Sequence, residues 1–167
     1  MTKFRVDAPA PRLIYTFKAF RNGRPLWEDG FGNLVTTGGK NDLLDKYFSG
    51  SAYTAAWYLG LINNAGFTAI AAGDTAASHS GWTEAGQYGA GTRPAITWAA
   101  ASGGSKATTA EISFTMDDTV TINGGFVITD DTKNGTSGIL YSAGSFNTPR
   151  ALQSADELKV TVTMNMT

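Results

Sequence analysis

The chain of 167 residues contains no cysteine. That excludes disulfide staples, and with them thiolate zinc and iron–sulfur sites. It has one histidine, His79, so a His-x-x-x-His metal motif is excluded too. Charged residues are only 16% of the sequence and sum to −1. Apart from a basic N-terminus (Lys3, Arg5, Arg12), there is no stripe of the kind a nucleic acid requires. No apolar run reaches the roughly 18 residues of a membrane span. No apolar stretch follows Met1-Thr2-Lys3-Phe4-Arg5, so no secretory leader is expected and synthesis in a cytoplasm is. The composition therefore predicts no nucleic-acid partner, no membrane partner and no cofactor.

What is present is small residues and alternation. A domain of this length buries about 70% of its unfolded surface and needs no staple. Leu158, Val160, Val162, Met164 and Met166 alternate with Lys159, Thr161, Thr163 and Asn165, the period of a half-buried strand. Asn22-Gly23 between two apolar runs predicts a hairpin, and Pro25 places its return strand at an edge. Ala56 to Ile62 reads as a buried strand. Gly38-Gly39 reads as a break before a short helix near 40–48, in which Leu43, Leu44, Tyr47 and Phe48 share a face and Asp42 and Asp45 lie toward the positive end. Residues 65–91 read as a long glycine-punctuated loop with room for short helical turns, Ile96 to Ala101 as a strand, and Ser142 to Pro149 as a loop. Strands are expected at Ile112–Met116, Val120–Ile122, Phe126–Ile128 and Ile139–Tyr141, with a bulge or bend at Gly124-Gly125. The expected fold is mainly β: an antiparallel, jelly-roll-like β-sandwich of residues 13–167 with one short helix, preceded by an N-terminal arm over residues 1–12.

Reactive constellations are scarce. His79 is flanked by Ser78 and Ser80, with Asp74 and Glu84 five residues away on either side, but no Gly-x-Ser-x-Gly elbow accompanies them. Asp74, His79 and Glu84 are acceptable metal ligands individually and lack the spacing of a zinc site. Asp117-Asp118 and Asp130-Asp131 read as turn aspartates. No phosphate-loop pattern follows Gly38-Gly39-Lys40. No catalytic, metal or cofactor-binding residue is assigned, and an enzyme is not expected. Of the four tryptophans, Trp57 and Trp98 read as core; Trp27 and Trp82 are candidates for a sugar-stacking surface.

Three segments carry a family resemblance: Asn33 to Phe48, Asp74 to Glu84, and Ala155 to Val162. They resemble small tailed-phage virion proteins, among them capsid cement (decoration) proteins with a jelly-roll-like fold, over most of residues 27–166. The resemblance implies a bacteriophage structural protein made in the bacterial host cytoplasm and placed on the capsid surface. It would act as a homo-oligomer, dimer or trimer, on the major capsid protein, stabilising the head by binding only the assembled lattice. Phe4, Arg5, Arg12 and Trp82 are the candidate partner contacts. The alternative expectation is a tail-fibre or baseplate module that binds host-surface glycan; a glycan hydrolase is the third.

Overall fold

A computed structural model describes residues 11–50, 53 and 56–166. Of the expected arm, Phe4 and Arg5 lie outside the described residues, and Arg12 already belongs to the first strand. That strand, β1 (Arg12–Arg21), buries Leu13, Tyr15, Phe17 and Ala19 and turns their neighbours outward. Asn22 (φ 50°) and Gly23 (φ 74°) make the left-handed turn the sequence predicts. The chain returns as β2 (Arg24–Gly32), an edge strand as Pro25 requires.

The remaining strands are β3 (Leu34–Val35), β4 (Tyr58–Asn63), β5 (Glu84–Ala85), β6 (Ser105–Ala107), β7 (Ile112–Thr115), β8 (Val120–Ile128), β9 (Leu140–Leu152) and β10 (Glu157–Asn165). All pairings are antiparallel. One sheet runs β2-β1-β10, with β6 and β7 both on the far side of β10; the other runs β3-β9-β8-β4-β5. Early strands pair with late ones, β1 with β10, β3 with β9 and β4 with β8, the wrapped connectivity of a jelly-roll-like sandwich. The alternating tail is thus the centre of its sheet. Leu158, Val160 and Val162 are fully buried opposite Ala19, Phe17 and Tyr15. On its outer face Lys159 lies over the Phe20 ring and beside Glu157, and Lys18 reaches Glu111.

The sheets are joined across the core by a hydrogen bond between the Tyr15 and Ser142 hydroxyls, 2.6 Å apart. Phe17 and Phe31 meet Phe146 edge-on at 4.9 and 5.0 Å. The β4 and β8 runs are nearly continuous in burial because the second sheet is covered on both faces. Its inner face meets β1 and β10. Its outer face carries Ile62, Phe126, Ile128 and Leu140, which pack under Phe67, Ile70, Ala76 and Trp82 from the 64–83 loop. This loop has no helix; it is held by bonds such as Thr68 N–H to Gly81 O (2.8 Å) and Thr37 N–H to Ala72 O (2.8 Å).

Four local expectations need correction. The helix, α1, spans Thr37–Phe48 and takes Gly38-Gly39 into its first turn. Thr36 caps it: its hydroxyl oxygen accepts the Gly39 N–H at 3.0 Å and its O–H is given to the Leu140 carbonyl. Asp42 consequently stands mid-helix and Asp45 in the last turn, and the first turn has no acidic residue. Leu43 packs on the core, but Leu44, Tyr47 and Phe48 are 52%, 79% and 78% exposed. Ser142 to Pro149 is strand rather than loop. The irregularity is a bulge in which residues 146–149 of β9 stand against Asn123 alone, since Gly124 pairs with Ser145 and Ile122 with Arg150. Finally, Ile96 to Ala101 is a strap with an isolated bridge from Trp98 to Thr108.

Candidate functional site

Residues 94–99 cross one end of the sandwich from one sheet to the other. Pro94 and Trp57 anchor the strap to the start of β4, through Leu59 N–H to Pro94 O (3.0 Å) and Ile96 N–H to Trp57 O (2.7 Å). Trp98 bridges Thr108, and Ala99 N–H reaches Ala107 O at 2.9 Å, beside β6. Opposite the strap stands α1, fixed to β9 by Thr36. Between strap and helix lies an open groove of about 730 Å³.

Its walls are aromatic. Tyr47 and Lys46 come from α1, Tyr53 and Trp57 from the approach to β4, and Thr97 and Trp98 from the strap. Its floor is supplied by both sheets, with Val127 and Tyr141 from one, and Lys106 and Met164 from the other. Trp57 stands edge-on to Tyr141 (5.2 Å, 82°) and gives its indole N–H to the Tyr53 hydroxyl at 2.9 Å. Lys106 Nζ donates to Ala99 O at 2.6 Å, tying the strap to the floor. Tyr141 is 2% exposed and its hydroxyl is buried with no hydrogen-bond partner among the described residues. Burial, with the charge of Asp42 and the phenol of Tyr53 adding, pushes its pKa up to about 12. It is therefore a neutral phenol, able to donate, at neutral pH.

A second cleft, of about 530 Å³, lies where the 64–83 loop meets β5 and the 130–136 turn. It gathers His79, Trp82, Glu84 and Arg93, which were singled out or passed over in the sequence. Trp82 is only 3% exposed. The His79 ring stacks on it at 4.0 Å, Phe126 lies against it at 5.2 Å, and its indole N–H goes to Asp74 Oδ2. It offers no free face to a sugar. Trp27 is packed between the Phe146 ring and the Arg150 guanidinium. Trp82, expected at the surface, is thus buried, and Trp27 is partly buried; Trp57 and Trp98, expected in the core, pack partly buried against it and also line the groove.

Asp74, His79 and Glu84 do not converge on a common point. Asp74 serves Trp82 and the Ala71 N–H, His79 Nδ1 meets the Trp82 carbonyl, and Glu84 is clasped by Arg93. Among the described residues no group of three His, Asp or Glu side chains stands close enough to hold a metal ion. Arg93, absent from the sequence reading, is the ionic centre of this region. Its Nε and Nη2 grip both Glu84 oxygens at 3.0 and 2.8 Å, Nη1 reaches Asp130 O, and its guanidinium lies over Phe126. Arg12 is exposed at the start of β1, with its guanidinium alongside Gly32.

No curated protein matches the chain. A family model described as podophage GP4 fiber I protein gp80 matches residues 34–165, which covers everything from β3 to the last residue of β10. That span includes α1, the strap and every wall of the groove. The match keeps the expected assignment to a phage virion structural protein and puts it with fibre proteins rather than with capsid cement proteins. The chain belongs to the podophage GP4 fiber I protein gp80 family.

Proposed function

We propose that this chain is a binding module of a phage tail fibre, and that the groove between α1 and the 94–99 strap takes a saccharide of the host surface without turning it over. The observation that carries the reading is the placement of Trp57, Trp98, Tyr47 and Tyr53 around one open groove. Exposed aromatic faces beside a few polar groups suit a pyranose ring, which is apolar on its C–H faces and polar at its edge. The fibre family supports the same reading, since a fibre is a part of the virion that reaches outward.

The test is binding of the purified chain to polysaccharide extracted from the host bacterium's outer surface. Trp98→Ala, on the strap, should weaken binding by about tenfold or more, in line with the loss of a stacking aromatic anchor. Trp82→Ala should act only through stability. Undiminished binding by Trp98→Ala would sink the reading. Copy number on purified virions separates the fibre reading from capsid cement: a fibre gives few copies per particle, a cement protein hundreds.

A further inference from the structure

Lys106 is placed where a lysine is seldom found. It stands opposite Met164 in the β6–β10 register, so the two side chains leave the same face of the sheet. That face is the inner one: Leu158, Val160 and Val162 fill it further along β10, and Met164 packs on the core. A lysine turned inward normally has a carboxylate beside it. Lys106 is part-buried on the groove floor and has no ion pair among the described residues. Its Nζ donates instead to the neutral carbonyl of Ala99 at 2.6 Å. An ammonium has three N–H donors, so this bond does not exhaust it. The bond also fixes where the charge sits, on the strap, one residue from Trp98.

Other lysines of the sandwich are provided for. Lys18 and Lys159 face Glu111 and Glu157. Lys133 gives to the carbonyls of Gly86 and Tyr88 and lies over the Tyr88 ring at 4.2 Å. The groove itself is lined by one carboxylate, Asp42, and two ammonium groups, Lys46 and Lys106. Asp42 and Lys46 share the α1 wall one turn apart, so their charges offset one another. The charge left over is that of Lys106, on the side of the strap. Among apolar neighbours a cation attracts an anion more strongly than it does in water, and a hydrogen bond between charged partners is about twice as strong as a neutral one. A uronic acid carries its carboxylate at the edge of the pyranose ring and leaves the C–H faces free to stack. Resting on the saccharide reading above, we propose that the groove takes an acidic saccharide, with a uronate carboxylate accepting from Lys106 Nζ while the ring lies on the Trp98 wall. Lys106 is thereby the specificity-determining residue.

The experiment is a titration of the intact chain, by tryptophan emission and ligand-observed NMR. The ligands are the methyl glycosides of glucuronic and galacturonic acid, their uncharged carboxamides, and the methyl glycosides of glucose and galactose. At least one uronide should bind about tenfold more tightly than both its carboxamide and its plain counterpart. Lys106→Met should abolish that preference, and Lys106→Arg, which keeps the charge, should retain it. The ratio within each set is the readout, because loss of the bond to Ala99 acts on every member of the set. Binding of host polysaccharide should fall by a similar factor once its carboxyl groups are reduced to alcohols. Equal affinity within each set, a preference untouched by Lys106→Met, or polysaccharide binding that survives carboxyl reduction overturns the acidic assignment. If polysaccharide binding is nonetheless lost in Trp98→Ala, the saccharide reading stands without it. If no glycoside binds and Trp98→Ala leaves polysaccharide binding intact, both fall together.

Discussion

Removing the Glu84 carboxylate should be among the most damaging single changes in this protein. The Arg93 and Glu84 side chains are 2% and 5% exposed, so neither charge is solvated once its partner is gone. In the native fold the guanidinium is satisfied by both carboxylate oxygens and by the carbonyls of Asp130 and Gly135, and Glu84 Oε2 also takes the Asn134 N–H at 2.7 Å. Glu84→Ala takes from the buried guanidinium its two-point partner, leaving it two carbonyls and the Asp130 carboxylate 3.9 Å from Nη1, and frees the Asn134 N–H. Breaking a buried pair from one side costs about 3–5 kcal/mol, a third or more of the stability of an ordinary domain. Replacing both partners removes the stranded charge, so Glu84→Met with Arg93→Met should cost clearly less than the two single changes added. A coupling of about 2 kcal/mol is expected. Urea unfolding, followed by the emission of Trp82 beside the pair, measures all three variants. A cost below about 1 kcal/mol for Glu84→Ala, or strict additivity in the double variant, would show the pair to be screened as a surface bridge is and would refute the reasoning.

Two glycines should respond for opposite reasons. Gly23→Ala places a side chain at φ 74° with nothing within 4 Å, so it should cost about 1–2 kcal/mol of backbone strain alone, read as a lower melting temperature with unchanged native spectra. Gly39→Ala sits in a helix, where alanine is intrinsically better by about 1 kcal/mol. Its methyl would collide with the Tyr141 backbone, so a net loss of about 2 kcal/mol is expected, together with altered emission from Trp57. Asp156 provides the pH prediction. The hydrogen bonds from Arg21, at 2.7 and 2.8 Å, lower its pKa against an opposing burial effect. A lowered folded-state pKa contributes stability above the unfolded value of about 3.9, and that contribution is lost as pH falls through the folded value. The stability difference between wild type and Asp156→Asn, from urea midpoints over about pH 2–6, should shrink toward the acid end; a constant difference would contradict it.

The sandwich was legible wherever a local rule sufficed. The alternation of β10 and the turn at Asn22-Gly23 each follow from a few neighbouring residues. What escaped was set by contacts between distant ones. Gly39 reads as a helix breaker, yet it is glycine because the helix axis comes too close to β9 for a side chain. Gly144, Ser145 and Pro149 read as loop, yet the strand runs through them; a methyl at Gly144 would meet the Phe31 ring, and the chain bulges out only over 146–149. Trp82 reads as surface because it stands in a glycine-rich stretch, and nothing local reveals that the stretch folds over the outer face of a sheet. The groove was not legible at all. Its lining runs from Asp42 to Met164, and no spacing along the chain announces that these residues meet.

The pairing of β1 with β10 has a consequence for how the protein is made. The register runs from Arg12 opposite Asn165 to Phe20 opposite Glu157, so the first strand waits for the last. At a bacterial rate of about 5–20 residues per second, about seven to thirty seconds separate the emergence of Tyr15 and Phe17 from that of their partners. During that interval the β1–β2 hairpin has an uncovered aromatic face and an open edge, the combination most prone to intermolecular pairing. The sheet that holds β1 is therefore completed only when β10 arrives, whereas every strand of the other sheet precedes it. A chain cut short of β10 leaves β1 with an unpaired edge and the aromatic face of its hairpin without its central strand.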